Sequence, residues 1–414
     1  MPRAKLQWPQ FTASDLIARK VLYVGDGYRA KNSEMGPTGL PFARAGNING
    51  GFLFDGADLL DEGNVPKAGN KVSVPADIVF TSKGTVGRFA FVRPSTPKFV
   101  YSPQLCFWRV LDSSVLDARF LLYWMQSSGF LSQVQQVKGL TDMADYVSLS
   151  DQRRMTLTIP PLPVQSQIAS ILSAYDDLIE NNTRRIKVVK AIAQTIFQGA
   201  LFTFPDLWAN VPIEEVYEEL FDGPHATPKP SASGPIYLGI KNVTERGELD
   251  LTGIRHIAEE DFSQWTRRVV PRPGDIVFTY EATLNRYAII NRDFRGCLGR
   301  RMALIRPNER QIDPYLLLHC LLSDQWRDEV RSKIISGATV DRIPLTTFPT
   351  FRVQVPTLDL MARIGPAVRA CEELAENCRR RNDVLRTTRD FLLPKLISGE
   401  IPVEAAAELV EQTA

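Results

Sequence analysis

IPPLPVQSQIASILSAYDDLIENNTRRIKVVKAIAQTIFQGALF, residues Ile159–Phe202, is the stretch that decides how the rest of the chain is read. Pro160, Pro161 and Pro163 mark a sharp stop before a helix. No further glycine or proline occurs before Gly199. Apolar residues recur at Val164, Ile168, Ile171, Tyr175 and Leu178, then at Ile186, Val189, Ala193, Ile196 and Ala200. Steps of three and four predict one long helix with a narrow, coiled-coil-like seam. At 1.5 Å per residue it spans roughly 55 Å. Asn182 falls on the seam, where a polar residue either fixes register at some cost in stability or marks a bend. A seam this narrow calls for one partner helix.

The partner lies at the far end, because the chain repeats itself once. Pro75-Ala76-Asp77-Ile78-Val79-Phe80-Thr81 lies over Pro273-Gly274-Asp275-Ile276-Val277-Phe278-Thr279, and Arg88-Phe89-Ala90 over Arg286-Tyr287-Ala288 in the same register. Asp26-Gly27 matches Asp222-Gly223, and Asn47-Ile48 matches Asn242-Val243. Within the helix, Pro160 falls on Pro356, Ile168 on Ile364, Asp176-Asp177 on Glu372-Glu373 and Arg184-Arg185 on Arg380-Arg381. The second seam is expected at Ile364, Ala367, Cys371, Leu374, Cys378, Leu385, Thr388 and Leu392. Gly365-Pro366 and Pro394 should each kink or shorten that helix.

The order is therefore head, long helix, head, long helix, with boundaries at 1–158, 159–203, 204–354 and 355–414. Each head reads as mixed α/β (α+β) with more strand than helix. Ile78–Phe80 with Phe89–Val92, and Ile276–Thr279 with Tyr287–Ile290, read as pairs of short strands joined by a polar loop. Pro41–Ala45 and Ile236–Ile240 are further strands, and Ala118–Gln126 and Pro314–Gln325 are closing helices. Two such helices bury each other most economically as an antiparallel pair. That makes them a spacer about 50 Å long between two heads related by a pseudo-two-fold.

Composition narrows the function. The 414 residues carry a net charge of +2, with 44% hydrophobic and 23% charged residues, which describes an ordinary globular protein. No apolar run approaches the ~18 residues of a membrane span, and MPRAKLQWPQ has no apolar signal region, so a cytoplasmic protein is expected. The five cysteines form no CxxC pair; Cys371 and Cys378, a heptad apart, read as seam residues. With three histidines and no HExxH, a metal site is not expected. No phosphate loop, nucleophile elbow or acid-acid-Lys nuclease cluster is present. The chain is therefore expected to bind and position while other subunits do the chemistry. Between Arg286 and Arg310 stand seven arginines against Asp293 and Glu309, an excess that leans toward phosphate.

These residues resemble the specificity (S) subunits of type I restriction–modification systems. Pro160 to Asp177 is close to that family's central conserved region, and Leu392-Leu393-Pro394-Lys395-Leu396-Ile397-Ser398-Gly399-Glu400-Ile401 is similar to its C-terminal ending. Pro273–Val277 and Gly84–Arg88 look like strand–loop signatures of its target recognition domains. The resemblance implies that each head is a target recognition domain reading one half of a split, asymmetric sequence on double-stranded DNA. It implies that the helices dock two methyltransferase (modification) subunits, with two restriction/motor subunits as further partners. S-adenosylmethionine, ATP and Mg then belong to the partners, and this chain carries no cofactor. In the second copy the proline turn is Val355-Pro356-Thr357-Leu358-Asp359, and the loop Ser82–Gly87 becomes Tyr280–Asn285. Two heads reading different half-sites would differ so, as would drift in an idle loop.

Base readout needs side chains that reach base edges, with phosphate contacts fixing the register. The candidates in the first head are Tyr28, Arg29, Lys31, Arg44, Lys83, Arg88 and Thr141. In the second they are His225, Lys229, Lys241, Asn242, Tyr280, Asn285, Arg286, Arg300, Arg301 and Thr339. Arg88 and Arg286 match in position and serve equally well as arginines holding their loop. Two other readings stay open on the residues alone: a restriction enzyme or fragment with its own unrecognised active site, and a coiled-coil adaptor that binds proteins only.

Overall fold

The structure, a computed structural model, describes residues 8–137, 146–336 and 340–406. It divides into two compact units, Met1–Glu180 with Asn382–Ala414, and Asn181–Arg381. The division falls inside both long helices, Leu162–Thr203 and Leu358–Ile397, so each unit owns one head and half of each helix.

In the first unit the head is built on a four-stranded antiparallel sheet, in the order Leu22–Asp26, Leu105–Val110, Ile78–Thr81, Phe89–Phe91. All four residues of Ile78–Thr81 are buried. An unbroken apolar run suits a strand covered on both faces. Ile78 and Phe80 point into the core shared with the helices, and Val79 into a second, aromatic-rich cluster with Phe99, Tyr101 and Phe107. The short strands Gln10–Thr12 and Thr156–Thr158 pair where the chain enters and leaves the head.

The second unit repeats this plan. Its sheet runs Tyr217–Asp222, Met302–Pro307, Ile276–Glu281, Thr283–Ile289, and Trp208–Pro212 pairs with Arg352–Pro356. The hairpin register is the same: Ile78 faces Phe91 and Ile276 faces Ile289. The strands expected at Pro41–Ala45 and Ile236–Ile240 form at Leu40–Ala43 and Ser231–Leu238, each with a parallel neighbour.

Two expectations are corrected. Pro314–Gln325 is not one helix: Pro314–Leu322 ends at Ser323, and Asp324–Ser332 starts anew. The first head has the same break, between Ala118–Gln126 and Ser128–Val137. Ser127 and Ser323 each donate their hydroxyl to a carbonyl three residues back (Trp124 and Cys320) at 2.6 Å, closing the first helix. Asp117 and Asp313 cap the starts by accepting from the second and third backbone N–H groups.

The second correction concerns the C-terminal helix. Neither Gly365-Pro366 nor Pro394 shortens it; it runs unbroken over 40 residues. Gly365 lies beside Leu316 of the head's helix, where a Cβ would stand at ordinary contact distance, 3.4 Å from Cδ1. The buried line is also not the purely apolar one. Ala367 and Leu374 face solvent, while Val368, Glu372, Ala375, Cys378, Asn382, Leu385 and Leu392 are buried. Two polar residues on the seam hid its register.

Within each unit the helix halves are paired. In the first, Asp176 bonds Arg389 and Ile179 bonds Asn382, so positions ascend on one helix as they descend on the other, an antiparallel pair. Ile168, Leu172 and Tyr175 share a core with Leu385, Leu392 and Leu396. In the second, Lys190 meets Glu372 at 3.0 Å, and Ala193 and Phe197 share a core with Val368 and Leu360. No helix among the described residues is long and apolar enough to cross a membrane.

Candidate nucleic-acid interface

The loop that joins the hairpin strands is the same backbone device in both heads. Gly84 and Gly87 take positive φ (80° and 99°), and so do Ala282 and Asn285 at the matching positions (69° and 59°). A left-handed conformation is free for glycine and costs an L-residue roughly 1–2 kcal/mol. The loop shape is therefore held even where the sequence no longer favours it. Each loop is braced by a later segment: Lys83 bridges Tyr146, and Glu281 bridges Arg342. Those segments directly follow Thr141 and Thr339, which lie outside the described residues.

The motif beginning at Pro75 and Pro273 proves to be a buried ion pair that fixes the base of the hairpin. Asp77, fully buried, accepts from Arg109 Nε at 2.6 Å and Nη2 at 2.7 Å, from the Tyr101 hydroxyl at 2.6 Å and from the Val74 N–H at 2.9 Å. Asp275 accepts from Arg306 at 2.9 and 3.0 Å and from the Arg272 N–H at 2.9 Å. A two-pronged guanidinium–carboxylate pair is among the stronger hydrogen-bonded contacts. The Asp-Gly turns are also held alike. Lys71 reaches Asp26 at 2.8 Å and the Gly27 carbonyl at 2.9 Å, and Arg268 reaches the Asp222 and Gly223 carbonyls at 3.2 and 3.1 Å.

Several candidate residues are occupied in holding loops. Asn242 accepts from the Gly239 N–H (2.9 Å) and donates to the Asp250 carbonyl (2.8 Å), as Asn47 does between Arg44 and Leu53 in the first head. Arg88 reaches the Ile48 carbonyl and Arg286 the matching Val243 carbonyl, both at 3.5 Å; Arg286 also pairs with Glu245 at 2.8 Å. Arg44 pairs with Asp58 at 2.7 Å. Tyr28 donates to Glu34, and Tyr280, buried, donates to Asp222 at 2.9 Å. Burial first, then the neighbouring carboxylate, pushes both tyrosine hydroxyls above their ordinary range, so they remain donors.

The arginine-rich run is the largest surprise of charge. Its acids come from elsewhere in the sequence. Arg286 faces Glu245, Arg292 faces Glu373, Arg295 faces Glu259, Arg301 faces Glu281 and Arg306 faces Asp275. The excess counted along the chain is mostly cancelled in space. Among the described residues Arg29, Lys31 and Lys83 of the first head, and Lys229, Lys241 and Arg300 of the second, are exposed with no carboxylate partner. Asn285 keeps a buried Oδ1 with no hydrogen-bond partner, and His225 pairs with Asp222 at 2.9 Å. What the geometry offers is thus a braced loop in each head, with the free Lys83 in the first loop and the free Arg300 next to Arg301, which pairs with Glu281 of the second. Among the described residues no cluster of three or more His, Cys, Asp or Glu side chains is placed to hold a metal ion.

Residues 27–191 match the family model for the type I restriction modification DNA specificity domain. The type I restriction enzyme MjaVIII specificity subunit of Methanocaldococcus jannaschii is 22% identical over 317 residues, 70% of this chain and 72% of its own. The MjaIX specificity subunit of the same organism is 20% identical over 387 residues, 85% of this chain and 84% of its own. The crystal structure of the type I restriction–modification S subunit from M. genitalium superposes with a TM-score of 0.61 at 16% identity, covering 96% of this chain and 98% of that one. That likeness shows a shared fold.

Proposed function

We propose how this chain, which belongs to the specificity subunits of type I restriction–modification systems, performs the DNA sequence recognition of that family. Each head reads one half of a two-part, asymmetric duplex target. The chain itself is non-catalytic and works in the cytoplasm beside the other subunits of the system. Two modification methyltransferase subunits bind it, restriction/motor subunits join them, and S-adenosylmethionine, ATP and Mg belong to those partners.

The observation that carries the reading is one loop scaffold built twice with different side chains. Matched left-handed positions keep the backbone, while Ser82-Lys83-Gly84-Thr85-Val86-Gly87 and Tyr280-Glu281-Ala282-Thr283-Leu284-Asn285 present different chemistry. Constant backbone with changed side chains is what reading two different half-sites requires, since bases are distinguished by donors, acceptors and methyl groups. The free cations beside each loop supply the phosphate contacts that set the register. Docking of partners is supported by apolar side chains left on the helices: Val188, Ile192 and Leu374 in the second unit, Val384 and Phe391 in the first.

The test is salt-dependent binding by the complex assembled with its methyltransferase. Lys83→Ala and Arg300→Ala should weaken binding to target and unrelated duplexes by similar factors. Each should lower the slope of log affinity against log salt by about one. Unchanged affinity and slope in both variants would remove these cations from the interface.

A further inference from the structure

The second head holds a cavity of about 410 Å³ that the hairpin reading does not use. Trp265, Val269 and Leu298 give it an apolar lining, and His225, Gln264 and Arg267 stand around it. It adjoins the loop cluster just described. Asp222 lies in its wall and is bonded to Tyr280, the residue that enters the hairpin loop, and Leu298 leads into the turn that carries the free Arg300. Asp222 also fixes the His225 ring through Nε2 at 2.9 Å. Gln264 and Arg267 are exposed and have no bonded partner among the described residues.

The first head fills the corresponding corner. Two residues after the matched Asp26 and Asp222, Tyr28 stands where Pro224 does, and Ala68 ends the short helix Val65–Ala68 as Trp265 ends its counterpart Phe262–Trp265. Tyr28 packs with Met35, Leu40 and Val65 on the buried Ala68, and its hydroxyl is tied to Glu34. The residue matching Gln264 is Lys67, paired with Glu34 at 3.2 Å. The cavity and its free amide therefore belong to the second head by design of its loops rather than by the shared fold.

Resting on the DNA-recognition reading above, we propose that this cavity is a specificity pocket that takes the major-groove edge of an A·T base pair. An uncommitted primary amide presents the donor and acceptor that match adenine N7 and N6 side by side. The apolar lining matches the one apolar group in that groove, the thymine methyl. Arg267, exposed at the rim, holds the neighbouring phosphate, and His225, immobilised by Asp222, borders the amide's partner base.

The experiment is modification-motif sequencing with the complete complex, comparing Gln264→Ala, Trp265→Leu and Arg267→Ala with the parent. Gln264 is exposed, so its replacement leaves the core untouched. Gln264→Ala should relax the motif at a single A·T position of one half-site, with discrimination there falling about 10- to 100-fold. Trp265→Leu should relax the same position, and Arg267→Ala should slow modification of all targets alike. The other half-site should be unchanged in every variant. An unaltered motif in Gln264→Ala, or a loss spread evenly over the half-site, overturns the pocket while the intact second half-site leaves DNA recognition standing. A parent complex that modifies no defined motif would instead sink the recognition reading itself.

Discussion

The two units fasten head to helix by the same triangle made of different residues. In the first, Asp176 on the central helix accepts from the Tyr123 hydroxyl (2.7 Å) and from Arg389 (2.6 Å). In the second, Glu372 on the C-terminal helix takes His319 (3.1 Å) and Lys190 (3.0 Å). Tyr123 and His319 match in the repeat, as do Asp176 and Glu372; the cation comes in both from the other helix. What differs is burial: Glu372 is 4% exposed and Asp176 29%. Burial raises a carboxyl, yet the His319 hydrogen bond and the Lys190 charge outweigh it and hold Glu372 down at about 2. The lesson is that duplication preserved the geometry of attachment, and the second unit made it depend on one deeply placed charge.

The largest effect should come from breaking that charge. Glu372→Ala leaves Lys190 without its main partner and should destabilise the second unit by about 3–5 kcal/mol, against about 1–2 kcal/mol for Asp176→Ala in the first. Denaturant unfolding of the full chain, followed by fluorescence and calorimetry, checks the ordering. Equal losses would mean that burial does not distinguish the triangles. The pH dependence has a definite sign. The Glu372 carboxyl is depressed in the folded chain, so its contribution is complete above the ordinary value of 4.5 and lost as pH falls toward about 2. Glu372→Gln should flatten the acid side of the second unit's stability curve in that window and leave the first unit's curve alone.

A comparable contrast lies under the hairpins. Asp77 takes Arg109, Tyr101 and a backbone N–H, while Asp275 takes Arg306 and a backbone N–H without the tyrosine. Asp77→Asn should therefore cost the first head about 1 kcal/mol more than Asp275→Asn costs the second. The reverse order would show that the tyrosine hydroxyl adds nothing.

The smallest effect is a backbone exchange. Ala76 and Gly274 hold the same position at φ of 71° and 91°. A Cβ on Gly274 would meet nothing closer than 3.9 Å, so only the backbone is strained. Ala76→Gly should stabilise the first head by about 1 kcal/mol, and Gly274→Ala should destabilise the second by a similar amount. Thermal unfolding reads both. A change of the same sign in the two would break the equivalence of the heads.

The repeat, the hairpins and the long helices were legible because they rest on local pattern: period, register and a recurring Pro-x-Asp-Ile-Val-Phe run. The helix end before Ser127 was read correctly, but the break at Ser323 was not, since the apolar run continues across Leu321 and Leu322 and only a serine hydroxyl bonded three residues back marks the stop. Part of the C-terminal seam was read correctly, at Cys378, Leu385 and Leu392, but Ala367 and Leu374 were misplaced because Glu372 and Asn382 sit on the seam and an apolar count passes over them. The arginine run misled for a spatial reason: Glu245, Glu259, Asp275, Glu281 and Glu373 are spread over the chain and meet the arginines only on folding. The cavity beside Trp265 was equally invisible, because its walls come from three segments far apart in the sequence, 222–226, 264–269 and Leu298.

The central claim is that two unlike heads read two half-sites. Sequencing modified bases in DNA from cells expressing this chain with a proposed modification methyltransferase partner tests it most directly, with a chimera in which residues 27–158 are replaced by those of a relative. The account predicts adenine methylation in a motif of two specified elements separated by unspecified bases, and a chimera in which one element changes and the other is kept. A single contiguous motif, or a chimera in which both elements change together, would contradict it.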